Sequence, residues 1–133
     1  MHSLLAPFVF PPRWMRLFAA FAFVTVAANL FWHGSQPYAV GLIQAPWDKL
    51  AHLVLYAGFC GAAWITLGGA RPASDVLAPL AAIAIGLADE ILQSFNPGRV
   101  VGIADLAADA VGALLAVALL GSLRARMRAH APD

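Results

Sequence analysis

Charge is scarce in this chain. Of 133 residues only 11% are Asp, Glu, Lys or Arg, and the formal net charge is +1. An ordinary soluble domain carries about a quarter charged residues. No basic stripe runs through it, which excludes a nucleic-acid surface. There is one cysteine, Cys60, so an internal disulfide is excluded, and the residue reads as a small buried hydrophobe. No HExxH or Cys/His spacing occurs, so neither a metal nor a cofactor is expected. No Ser/His/Asp nucleophile set supports hydrolysis. What is abundant is apolar surface, with 62% hydrophobic residues and a mean hydropathy of +0.78. A soluble fold of this size could not bury that much. The expected partner is therefore the lipid bilayer.

One domain, 1–133, is expected, all-α, an integral membrane four-helix bundle. A span needs about 20 mostly apolar residues. Four segments qualify, at about 14–32, 50–68, 76–95 and 103–123. Pro11 and Pro12 fix the start of the first, and tryptophans stand at both its ends, as at membrane interfaces. Gly68-Gly69 stops the second. Pro79 is placed in the first turn of the third, where a missing N–H is tolerated. Asn96-Pro97-Gly98 ends it. Arg13, Arg16 and the apolar run behind them resemble a signal peptide. Three further spans favour a retained anchor.

Basic residues set the orientation. With the N-terminus cytoplasmic, Arg13, Arg16, Arg71, Arg124, Arg126 and Arg128 lie inside, and only Lys49 and Arg99 lie outside. Both termini are expected in the cytoplasm.

The remaining ionisable groups then collect in one layer at the outer side, Asp75 and Asp133 excepted. Asp48, His52 and Tyr56 follow one face at four-residue spacing. Asp89, Glu90 and Gln93 close the third span, Arg99 follows, and Asp105 and Asp109 open the fourth. Glu90 is expected inside the bundle, and Asp89 nearer a neighbouring helix or the rim. Ala82 and Gly86, and Ala108, Gly112 and Ala116, place small residues on the same faces, where backbones can approach. Asn29 and His33 are possible additions to the layer. Five carboxylates with Lys49 and Arg99 leave the layer at −3 when His52 is neutral. Such an excess in a membrane calls for protonated carboxyls, a charged His52 or a bound cation. Plainer readings stand beside this one. Asp48 suits a helix N-cap, Asp105 suits a helix dipole, Lys49 can snorkel, and Arg99 can clamp carboxylates.

The pieces Asp48-Lys49-x-x-His52-x-x-x-Tyr56, Asp89-Glu90-x-x-Gln93 with Arg99, and Asp105-x-x-x-Asp109-x-x-Gly112 resemble, in order, the VanZ-like family of bacterial integral membrane proteins. The resemblance covers about residues 46–120. It implies a small multi-pass helical protein of the bacterial cytoplasmic (inner) membrane. Two departures stand out. Many relatives carry Asn where this chain has Asp109, and a Ser or Thr where it reads Val100-Val101-Gly102-Ile103-Ala104.

Two functions stay open. The first is a cell-envelope binding site built from Asp48, Lys49, His52, Tyr56, Asp89, Glu90, Gln93, Arg99, Asp105 and Asp109. Its ligand would be a lipid-linked envelope intermediate or another amphiphile, with an anionic head group held by Arg99 and Lys49. His52 and Glu90 are the candidates for acid–base work there, and whether any reaction occurs is left open. The alternative is a non-catalytic network that holds the bundle together or presents a partner surface. Transport is disfavoured, because no ionisable group continues the layer inward. An open outer cavity reached by Glu90, His52 and Arg99 would favour the first reading. A closed, satisfied network would favour the second.

Overall fold

The computed structural model describes residues 7–69, 71–97, 99 and 102–129. Asp133, Val100 and Val101 lie outside them. The described residues form four long helices and no strand: α1 Arg13–Gly34, α2 Trp47–Thr66, α3 Pro72–Gln93 and α4 Ile103–Ala129, with a short 3₁₀ turn at Pro37–Ala39.

Local chemistry sets the ends. Pro12 precedes α1 in an extended conformation. Pro46 precedes α2, which begins a turn earlier than the apolar run suggests and brings Asp48 and Lys49 into its first turn. Past Thr66 the chain turns through Gly68 and Gly69, at φ 100° and 63°. Only glycine adopts that region freely, and the Gly69 N–H returns to the Trp64 carbonyl at 2.9 Å. Pro72 opens α3, where a missing N–H costs nothing. This early start corrects the placement of Pro79, which lies inside the helix and not in its first turn. The i−4 carbonyl, that of Asp75, therefore loses its helical donor. At the other end α4 runs six residues beyond the expected 123, so its basic tail is helical too.

α2 is the central helix, packed most extensively on α4 and also on α3 and α1. The core between them is Ala27, Tyr56, Phe59, Cys60, Ala63, Trp64, Ala78, Ala82 and Ala113, with Val9 closing one end. Close approach depends on glycine. A Cβ at Gly112 would collide with the Leu53 carbonyl, and one at Gly86 would collide with the Asp109 carboxylate. Large apolar side chains cover the outside, Phe18, Phe21, Leu114 and Leu119 among them. Three helices, α1, α2 and α4, are long and apolar enough to cross a membrane. The expected third span does form a helix, α3, but it is not one of these three. It is the most enclosed of the four, with eight buried residues that include Asp89, Glu90 and Gln93.

The helices alternate in direction. At one end the Arg16 Nε–H donates to the Thr66 carbonyl at 3.0 Å. There the Trp64 indole N–H also donates to Asp75 at 2.9 Å, and Arg124 pairs with the same carboxylate. At the opposite end Asn96 reaches the Gly34 carbonyl. Both ends of the described chain thus lie at the basic end, and Lys49 and Arg99 lie at the other.

Substituting Gly112 by Ala forces α2 and α4 apart. We expect a loss of about 2 kcal/mol, read from reversible unfolding in mixed micelles. Ala at Gly58, which meets no neighbour within 4 Å, should be nearly neutral.

Candidate functional site: a polar layer around a cavity

The first turns of α2, the last turns of α3 and the start of α4 converge at the end opposite the arginines. A buried carboxylate needs donors from its own chain, and each one here finds a different source. Asp109, fully buried, meets His52 Nδ1 through Oδ1 at 2.8 Å. The His52 ring stacks on Tyr56, with centroids 6.0 Å apart and planes 9° apart. Glu90, 3% exposed, accepts the Gly102 N–H at 2.7 Å. Gly102 caps α4, its carbonyl accepting from Asp105 and Leu106, so this carboxylate sits where the helix dipole favours a negative charge. Asp89, 1% exposed, accepts from Gln93 Nε2 at 2.6 Å. Gln93 Oε1 in turn accepts from Arg99 Nη1, and Arg99 Nη2 donates to the Ala39 carbonyl at 3.0 Å. At the rim Lys49 bridges Asp48, at 2.8 Å, and Asp105.

A cavity of about 430 Å³ opens in the middle of this layer, lined on its polar side by Asp48, His52, Asp89, Gln93, Arg99 and Asp105. Leu30, Leu55 and the segment Val40–Ile43 form an apolar wall. Tyr38, Leu42, Ile43 and Trp47 next to it are exposed.

The expected site residues therefore fall into one layer but not into the expected pairs. His52 and Arg99 line the cavity, whereas Glu90 does not. Asp89, expected nearer a neighbouring helix or the rim, stands on the cavity wall against Gly34 at the end of α1. Glu90 is also buried, but it is turned to the α4 N-terminus. As an acid–base pair His52 and Glu90 are not joined, since the partner of His52 is Asp109. Tyr56 lies beneath the cavity, its hydroxyl buried without a partner among the described residues. Asn29 bonds back to Thr25 of its own helix, and His33 meets Tyr38 at the exposed surface, so neither adds to the layer. Among the described residues no group of His, Cys, Asp or Glu is arranged to hold a metal ion.

Residues that sequence reasoning missed are mostly backbone groups. The Ala39 carbonyl and the Gly102 N–H carry no side-chain signature. Gly34 borders the cavity next to Asp89, and its only sequence signal is its position at the end of α1.

The VanZ/LLP1 family model matches residues 3–124. The chain belongs to the VanZ/LLP1 family. No curated protein and no solved structure matches it. The VanZ/LLP1 match takes in every residue of the polar layer, and the resemblance read from the three short motifs agrees with it.

His52→Ala leaves the Asp109 carboxylate buried and unpaired. That should cost about 3 kcal/mol, with His52→Ala/Asp109→Asn costing less than the sum of the single changes in a double-mutant cycle. Lys49 is half-exposed at the rim, where solvent screens its two bridges, so Lys49→Ala should be mild.

Proposed function

We propose that this VanZ/LLP1 protein is a multi-pass protein of the bacterial cytoplasmic membrane, with all four helices crossing as a bundle. In this reading both termini are cytoplasmic, and the polar layer binds the head of an amphiphilic cell-envelope molecule at the outer face. The observation that carries the reading is the cavity, which combines a charged floor with an apolar wall beside exposed apolar side chains. That pairing fits a molecule with a polar head and a hydrocarbon tail. The separation of six arginines from Lys49 and Arg99 supports the orientation. Binding is proposed without a reaction, because His52 is held by Asp109 and Glu90 by the α4 backbone.

A second reading has its own support. Most donors in the layer already have partners, as a network that only locks the helices would require. The two readings separate in one experiment. Lipid retained by the purified protein is identified by mass spectrometry, for the parent chain and for His52→Asn. Binding requires a specific amphiphile that falls severalfold in the variant while helix content stays the same. Unchanged retention in a stably folded variant would leave only the holding role.

Orientation has a separate check. In a Cys60→Ala background, an impermeant maleimide should label Leu42→Cys in intact cells. It should label Ala129→Cys only after permeabilisation. The reverse pattern would invert the protein.

A further inference from the structure

We infer that the cavity takes a head group bearing a protonated primary amine, which rests on the amphiphile-binding reading and narrows its chemistry. Arg99 and Lys49 are the residues a phosphate head would need, and both are committed. The Lys49 ammonium lies between Asp48 and Asp105. The Arg99 guanidinium donates to Gln93 and to the Ala39 carbonyl. The group left unmatched in the cavity wall is a buried acceptor. Asp89 is 1% exposed and stands on the cavity wall. Its Oδ2 takes the Gln93 amide, while Oδ1 has no hydrogen-bond partner among the described residues. That oxygen faces Gly34, also on the wall, where an added Cβ would stand 3.3 Å from it.

A buried carboxylate oxygen without a donor is costly, and a ligand that supplies one gains the difference. The lining holds three carboxylates, Asp48, Asp89 and Asp105, beside His52 and one guanidinium, and Lys49 pairs with two of the three, which leaves Asp89 without a direct cation partner among the described residues. A phosphate would bring this carboxylate further acceptors and no donor. An ammonium brings only donors, three of them, and makes a charge-assisted bond to Asp89. A quaternary ammonium has no N–H and cannot make that bond. The apolar wall at Leu30, Leu42, Ile43 and Leu55 would take the start of a hydrocarbon tail.

The test uses the full chain in phosphatidylcholine nanodiscs containing equal amounts of phosphatidylethanolamine and phosphatidylglycerol. Lipids retained by the protein are counted by native mass spectrometry. Phosphatidylethanolamine should be retained about tenfold over the other two, since one charge-assisted bond is worth about that factor or more. Asp89→Asn should abolish the preference, and Asn29→Ala should preserve it. Gly34→Ala, which crowds the free oxygen, should weaken the preference and gives a second reading if Asp89→Asn does not fold. Millimolar ethylamine tests the source. Displacement of the lipid would assign the site to small soluble amines, and no displacement would require the tail. Equal or greater retention of phosphatidylglycerol, or a preference that survives Asp89→Asn, overturns the amine while leaving an amphiphile site in place. No specific retention of any lipid would remove the site as well.

Discussion

Everything at the polar end follows from the burial of Asp109. A carboxylate with no exposed surface must be matched by its own protein. His52 supplies the match for its Oδ1 from a second helix at 2.8 Å. That requirement fixes the rotation of α2 against α4, and Gly112 against the Leu53 carbonyl fixes their distance. Gly86 does the same for α3, leaving room for the Asp109 carboxylate where any side chain would intrude. The small residues and the acidic residues are therefore one device. Without the glycines the helices could not come close enough for the charges to meet, and without the charges nothing would choose this register over another.

The two ends of the molecule handle charge differently. At the basic end Asp75 is closed off by Trp64 and Arg124, and Arg16 is tied to the end of α2. At the other end the same kinds of contact ring an open space. Between them α1 from 17 to 32, α2 from 57 to 65, α3 from 76 to 88 and α4 from 110 to 123 contain no Asp, Glu, Lys, Arg or His. About three helical turns of apolar packing around Phe59, Cys60 and Ala82 separate the two sets of charges. A chain of proton or ion sites would need stepping stones there.

The sequence made the helices and the layer legible because their signals are local or periodic. Apolar runs gave the helices, proline and glycine pairs gave their ends, and four-residue spacing put Asp48, His52 and Tyr56 on one face. Pro79 was misplaced because the polar first turn of α3, Pro72–Asp75, carries no apolar signal, so the helix looked shorter than it is. The choice between Asp89 and Glu90 was not legible. Adjacent residues point about 100° apart, and both directions are buried here. What decides between them is the position of the Gly102 N–H on another helix, which no spacing within α3 encodes. The cover over the cavity was equally silent, since the Ala39 carbonyl acts through backbone and its loop has no periodicity.

Arg99 shows why charge counting alone misreads such a layer. The sequence offers it as a free cation beside five carboxylates, which suggests an anion receptor. Its guanidinium is instead divided between the Gln93 side chain and the Ala39 carbonyl, so it ties the end of α3 to the loop that covers the cavity. Gln93, held by Arg99 on one side, is thereby oriented to give its amide hydrogen to Asp89 on the other. A planar guanidinium can hold two acceptors at fixed directions, which a lysine ammonium does not do as rigidly. The positive charge thus serves to position a negative one, and the cavity keeps its surplus of acceptors despite having an arginine in its wall.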